Sequence, residues 1–313
     1  MSDSTRPRIL LLGSQGQLGY ELRRSLRPLG ELVAAARKPE PGERAVDLTD
    51  HAGLAQLIRD VRPAVVVNAG AYTLVDQAEK EPDLAAAINA VAPGVIQATA
   101  REMGAAAVHY STDYVFDGSG SEPRDEAAAT APLSAYGTTK RAGEEAIENA
   151  GGAYVVLRTS WVYGVHGVNF VKKILKLARD RELLRIVADQ VGAPTTAGFL
   201  ADSTAHILTR SAQPWSESLA AARGIYHACC GGDTSWYGFT CAIVERARRA
   251  GLPLAVKSIE PITSAEFPTP ARRPLNSRLS CRRLSERFGI TPPGWEAALD
   301  ETLPRILKEE FGV

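Results

Sequence analysis

A phenol and an ammonium four residues apart, in the run Tyr136-Gly137-Thr138-Thr139-Lys140, are the plainest chemistry in this sequence. On a helix that spacing puts both side chains on one face. A tyrosine titrates near about 10, so a proton-donating Tyr136 at neutral pH asks for a neighbouring cation to stabilise its phenolate, and Lys140 is in reach to do so. Chance alone supplies such a pair in roughly one chain of this size in five, so its setting decides. The pair opens a helix that follows a strand ending in Tyr110-Ser111-Thr112-Asp113. Ligands of open α/β sheets gather at strand carboxyl ends. Thr112 is then placed to hydrogen-bond a carbonyl oxygen while Tyr136 protonates it and a hydride arrives from a carrier. Trp161 offers a flat apolar face to a sugar ring, with a core tryptophan as the equal alternative. Tyr114, Phe116, Tyr163 and Phe170 read as core.

A carrier is foreseen by Ile9-Leu10-Leu11-Leu12-Gly13-Ser14-Gln15-Gly16-Gln17-Leu18-Gly19, an apolar strand, a glycine turn and a helix start. The spacing is G-x-x-G-x-x-G. Glycines there let a pyrophosphate approach backbone N–H groups at the positive end of a helix. A carboxylate at the end of the second strand would bond a ribose 2′-hydroxyl, whereas Ala35-Ala36-Arg37-Lys38 supplies two cations and no acid. That favours NADPH, leaves NADH open, and competes with a solvated basic loop end. Asp47-Leu48 reads as lying beside the adenine, or as a turn leading into a helix cap.

The elements that must hold these residues alternate. Strands are expected at Arg8–Leu12, Leu32–Ala36, Ala64–Asn68, Ala105–Ser111 and Ala153–Arg158, with helices near Gln17–Arg27, Asp50–Val61, Asp83–Met103 and Ser134–Asn149. This is the pattern of a Rossmann-like, doubly wound parallel sheet, and the continuous apolar run from Ala64 fits a strand covered on both faces. Beyond residue 165 come helices near Phe170–Arg181, Phe199–Arg210 and Trp236–Ala250, strands near Leu184–Val187, Gly224–Ala228 and Ala255–Ile259, a Pro-rich passage to Pro274, and two last helices. The division expected is residues 1–165 with a returning segment at about 195–228 for the cofactor, and 166–194 with 229–313 as a smaller C-terminal substrate-binding lobe.

With 313 residues, 45% hydrophobic, and 36 basic against 36 acidic side chains, the chain can bury a large core and offers nucleic acid no basic surface. No stretch is apolar enough to span a membrane, and the polar start at Met1–Arg8 lacks a leader pattern. Cys229, Cys230, Cys241 and Cys281 read as reduced core residues of a cytoplasmic protein, and no histidine or acid spacing suggests a metal site. Asp300 and Glu301 read as a solvated helix face.

The chain resembles the extended short-chain dehydrogenase/reductase superfamily and, within it, the dTDP-4-dehydrorhamnose reductase family. The resemblance rests on Gly13 to Gly19, Asn68-Ala69-Gly70-Ala71-Tyr72-Thr73 with Val75-Asp76, Tyr110 to Asp117 and Tyr136 to Lys140. It continues through Arg158-Thr159-Ser160-Trp161-Val162-Tyr163-Gly164, Asp189-Gln190-x-Gly192-x-Pro194-Thr195 and Arg272-Arg273-Pro274-x-Asn276-Ser277. It implies NADPH-dependent reduction of the C4 ketone of dTDP-4-dehydro-β-L-rhamnose, the last step towards dTDP-L-rhamnose, with Thr112, Tyr136 and Lys140 as triad. It implies a cofactor lined by Gly16, Gln17, Leu18, Asp47, Leu48, Ala71, Tyr72, Thr73 and Tyr110. With the glycine-loop and strand-end reading, Gly13, Gln15, Arg37, Ala69 and Gly70 join that set. The dTDP-sugar would meet Thr112, Asp113 and Trp161. Mg²⁺ and a homodimer enter through the resemblance alone.

Two rivals share the fold. A dehydratase or epimerase of nucleotide sugars would carry Asp-Glu after the threonine, and here Tyr114 follows Thr112-Asp113. A regulatory subunit resembling the β subunit of methionine adenosyltransferase would lack the threonine and the Thr-Ser-Trp segment, both kept here as Thr112 and Thr159-Ser160-Trp161. Six arginines against one acid lie between Ala271 and Phe288. Arg272 or Arg273 is expected to grip the substrate pyrophosphate, or the run is a charged surface.

Overall fold

The computed structural model describes residues 6–313, so the reading of the polar start lies, up to Thr5, outside the described residues. The first strands arise from apolar runs closed by turn residues: β1 (Arg8–Leu12), β2 (Glu31–Ala36), β3 (Arg44–Ala45), β4 (Val65–Asn68), β5 (Ala106–Thr112), β6 (Ala153–Thr159) and β7 (Gly224–His227). They form one seven-stranded sheet in the order β7-β6-β5-β4-β1-β2-β3, every neighbouring pair parallel. β4, β5 and β6 are buried along their whole length, as a sheet covered on both faces requires. The strand order reverses between β1 and β4, which opens a crevice at their carboxyl ends.

The longer helices are α1 (Gln17–Leu26), α2 (His51–Val61), α3 (Ala92–Glu102), α4 (Ala135–Ala150), α5 (Phe170–Asp180), α6 (Ala197–Arg210), α7 (Trp236–Arg249) and α8 (Trp295–Phe311). α1 and α6 cover one face together with apolar side chains of the sheet, and α2 and α3 cover the other. Ser25 in α1 donates to the Ala201 carbonyl of α6 at 3.0 Å. The returning segment 197–227 thus belongs physically to the sheet. A second core unites Tyr163, α5, α7 and α8 around Phe239 and Leu299.

Three expectations needed correction. The helix foreseen over Asp83–Met103 runs continuously from Pro82 to Glu102 but is not uniform: a wide π turn at Ala87–Val91 separates Pro82–Ala86 from α3. Pro93 lacks an N–H to continue the ladder, and Asn89 is turned inward to bond both the N–H and the carbonyl of Tyr72. The strand foreseen at Ala255–Ile259 lies at Ser258–Ile262, paired with Leu183–Val187 in a two-stranded sheet whose edge position tolerates Pro261. All four cysteines are free, but Cys241 and Cys281 are only partly buried. Among the described residues no helix is long and apolar enough to cross a membrane.

α4 is seated on the sheet by two devices. Gly143 lies so close to the π turn that a Cβ there would meet the Asn89 carbonyl at 2.0 Å. One residue on, Glu144 is fully buried and takes two bonds from the buried Arg158 of β6, at 2.8 and 2.7 Å. Removing one partner of such a pair strands a charge in the interior, so Glu144→Ala should cost ~3–5 kcal/mol of stability. Chemical denaturation measures it; a loss below about 1 kcal/mol would mean that the pair does not hold the helix in place.

Candidate active site

The glycine loop is built at backbone contact. Gly13 has φ +76°, and a Cβ on it would lie 2.6 Å from the Gly70 nitrogen; one on Gly19 would lie 2.0 Å from the Gly13 carbonyl. Gly16 begins α1 with no side-chain cap, so the first N–H groups of the helix stay available to an anion. This cradle fits a dinucleotide pyrophosphate. Leu48 leans on it, its Cδ1 2.7 Å from where a Cβ of Gly70 would be. Asp50, not Asp47, caps α2, through the Gly53 N–H at 2.9 Å. Asp47 accepts the Thr49 N–H and hydroxyl instead, and these bonds hold its carboxyl below the usual value.

Gln17 is fixed by Asn169 at 2.9 Å, while Leu18, Ala69, Gly70 and Ala71 are partly buried and Thr73 is exposed. Tyr72 gives its hydroxyl to Glu81 at 2.6 Å, a bond that pushes the phenol up to about 12. Arg37 and Lys38 are exposed just beyond β2. No acid stands at the end of β2 itself, but Glu43, from the turn before β3, folds back onto the loop and takes the Ser14 hydroxyl and the Gln15 amide, each at 2.7 Å. Sequence reading missed it because it looked for the acid at the strand end.

Ser134 caps α4 through the Gly137 N–H at 3.2 Å and places Tyr136 in the first turn. A Cβ on Gly137 would meet the Tyr114 carbonyl at 2.3 Å, so the helix start presses on the segment that follows Thr112. Burial raises the Tyr136 phenol to about 12; the nearby Thr112 hydroxyl opposes this and the Asp113 charge adds to it. Lys140 is absent from those influences. Its buried Nζ donates to the Tyr110 carbonyl at 2.6 Å and lies 3.2 Å from His109 Nε2, and burial lowers it to about 8. The lowering of the phenol expected from Lys140 together with a cationic nicotinamide ring concerns the cofactor-bound site. His109 in turn meets the Asn68 amide at 3.0 Å, which makes a buried polar line from β4 to α4. Tyr110 offers the site only its carbonyl, since its hydroxyl pairs with Thr204 at 2.6 Å within the core.

Asp113 is 2% exposed. Burial lifts its carboxyl to about 6, eased by the hydroxyls of Ser277 and Thr112, and its Oδ2 has no partner. An orphaned buried oxygen beside Thr112 and Tyr136 suits a hydroxyl-bearing ligand. Trp161 has φ +49°, a strained backbone for a bulky residue, and stacks on Trp236 at 3.6 Å. Trp236, positioned by its bond to Gln190 at 3.1 Å, went unnoticed in the sequence because it opens an ordinary helix. Phe116 and Tyr163 are core as expected, whereas Tyr114 packs edge-on to Tyr136 at 5.4 Å.

The arginine-rich run does not converge. Arg273 is spent on Asp76 at 2.8 and 3.1 Å, Arg278 on Asp233, and Arg283 lies over the Tyr226 ring. Arg272 is exposed, with no ion pair among the described residues. The described residues contain no cluster of three or more His, Cys, Asp or Glu that could hold a metal ion, and Asp300 is paired with Arg246.

Residues 7–308 match the RmlD substrate binding domain family. The chain is 43% identical over 303 residues to the dTDP-4-dehydrorhamnose reductase of Escherichia coli K12, covering 97% of this chain and 98% of that one. It is 46% identical over 304 residues to the Burkholderia thailandensis enzyme of that name, covering 96% and 100%. The solved structure of the Bacillus anthracis enzyme in complex with NADP superposes with a TM-score of 0.85 at 32% identity, covering 96% of this chain and 99% of that one.

The buried Asp113 makes stability depend on pH. Its carboxyl is raised from 3.8 to about 6 in the folded chain. Below about pH 4 both states are protonated and burial costs nothing; between about 4 and 6 the folded chain keeps a proton that the unfolded one has lost, so stability falls as pH rises, by on the order of 3 kcal/mol. Asp113→Asn should therefore raise Tm at about pH 7.5 and scarcely move it at about pH 4, as scanning calorimetry would read; equal shifts at both would show that the charge is not the cause.

Proposed function

The chain belongs to the dTDP-4-dehydrorhamnose reductase family, and on that premise we propose which of its residues carry the NADPH-dependent reduction of the C4 ketone of dTDP-4-dehydro-β-L-rhamnose. Tyr136 donates the proton that the C4 oxygen takes up, and Thr112 holds that oxygen and the phenol in line through its hydroxyl. Lys140 and the glycine cradle of Gly13, Gly16 and Gly19 hold the cofactor, together with Gln15, Gln17, Leu18, Leu48 and the Ala69–Thr73 segment. When bound, the dinucleotide supplies the hydride. Asp113 accepts a sugar hydroxyl through its free oxygen, and the stacked Trp161 and Trp236 form a flat wall for the ring. Arg272 is the cation left to meet the pyrophosphate.

The observation that carries this reading is the buried Asp113 oxygen, unpartnered among the described residues, beside Thr112 at the carboxyl edge of a parallel sheet, with the Tyr136 phenol near enough to feel its charge. It also weighs against a regulatory role, which needs neither group. The division into residues 1–165 with about 195–228, and 166–194 with 229–313, is part of the proposal, supported by the separate cores. So are a cytoplasmic setting, in keeping with four free thiols, and a homodimer.

The test is incubation with dTDP-4-dehydrorhamnose and NADPH, following loss of the reduced-nicotinamide absorbance and identifying the sugar product. Tyr136→Phe should lower kcat by at least ~100-fold with NADPH affinity little changed. Retained turnover in that variant would remove Tyr136 from the donor role. No consumption of NADPH by the unaltered enzyme would overturn the reading as a whole.

A further inference from the structure

The turn between β2 and β3 holds a carboxylate against the glycine loop assigned above to the cofactor. The Glu43 side chain is 2% exposed. It accepts the Ser14 hydroxyl and the Gln15 amide from within the glycine loop, each at 2.7 Å, and the Glu40 N–H at 2.9 Å, with Arg23 of α1 at 3.4 Å. Burial pushes its carboxyl up, but these partners outweigh it and keep the group below the usual carboxylate value, hence ionised at neutral pH. The Gln15 amide also donates to the Lys38 carbonyl at 2.7 Å. Loop, strand end and turn thus close into one ring with a fixed negative charge on it. Arg37, the first residue beyond β2, is exposed and unpaired among the described residues.

Resting on the cofactor site assigned above, we propose that Glu43 sets the balance between the two nicotinamide dinucleotides, its carboxylate opposing an adenosine 2′-phosphate and suiting a free 2′-hydroxyl, against the pull of Arg37. A fixed carboxylate repels a nearby phosphate through its charge and leaves a neutral hydroxyl unopposed, with no contact to either needed. One anchored anion and one exposed cation, whose charge also reaches the Asp47 carboxylate, then act on the same group.

Calorimetric titration of the whole chain with adenosine 2′,5′-bisphosphate and with adenosine 5′-monophosphate isolates the 2′-phosphate without involving turnover. Glu43→Gln should tighten the bisphosphate by about five-fold relative to the monophosphate, the scale of one charge pair near a wet surface. Arg37→Ala should shift the same ratio the opposite way. Glu43→Asp, which keeps the charge, should leave the ratio near that of the unaltered chain. If Glu43→Gln changes both affinities equally, or Glu43→Asp shifts the ratio as far as Glu43→Gln does, Glu43 is only a staple of the turn and the proposal fails. If the unaltered chain binds neither nucleotide, the assignment of the cofactor site fails, and this proposal with it.

Discussion

The seating of α4 on the sheet is the constraint on which the site depends. Tyr136 and Lys140 are useful only if their helix lies within reach of the end of β5, and a helix carrying ordinary side chains at every inward position would stand too far off. Gly137 and Gly143 remove the side chains at the two points where α4 meets the Tyr114 and Asn89 carbonyls. Glu144 then fixes the rotation of the helix through a bidentate bond to Arg158. A buried ion pair adds little net stability compared with apolar side chains of the same size. What it supplies here is register, because only one rotation and one axial position of α4 satisfy both carboxylate oxygens.

Around that anchor, stability is spent rather than gained. Asp113 is held as an acid of about 6 in the interior, Lys140 is buried without a carboxylate in contact, and Trp161 occupies a left-handed backbone region. Each departs from what a folding criterion alone would choose, and all three lie on the segments following β5 and β6 or on the helix packed against them. Such departures persist where the surrounding structure fixes them, and they mark a site built for a ligand rather than for the fold. Spacing on a helix puts Lys140 on the face of Tyr136, and its length lets the ammonium reach back to the Tyr110 carbonyl at the end of β5.

Periodicity made the sheet legible: β1 has the expected bounds, β2, β4 and β6 differ from expectation by a residue at one end, and β5 is shifted by one residue at both. The π turn was not legible, because Pro93 is compatible with a helix start as well as with a bulge, and only the inward turn of Asn89 decides between them. Two-residue strands such as Val191–Gly192 and Asn276–Ser277 have no period to read, although they carry Ser277 to Asp113. Thr112, Tyr136 and the glycine loop were visible as motifs. Trp236 and Glu43 were not, since each reaches the site from an element whose own sequence has another sufficient explanation, a helix start in one case and a polar turn in the other.

The zero net charge of the chain acquires a structural meaning from these placements. Its ligands are polyanions, yet most arginines of the 272–287 run are committed to partners inside the protein or lie on its surface, and Arg273 is neutralised by Asp76. Much of the anion recognition proposed above therefore falls to groups that carry no formal charge, the N–H groups at the start of α1 and the backbone of the glycine turn, with Arg272 and Arg37 as the few exposed cations beside them. A site of this kind binds by geometry, so it needs the close approach that Gly13 and Gly19 permit and gains little from bulk attraction. With the background so balanced, single uncommitted charges acquire leverage. One anchored carboxylate at Glu43 and one free guanidinium at Arg37 are then sufficient to weigh a single phosphate group, which a strongly basic surface would have drawn in regardless.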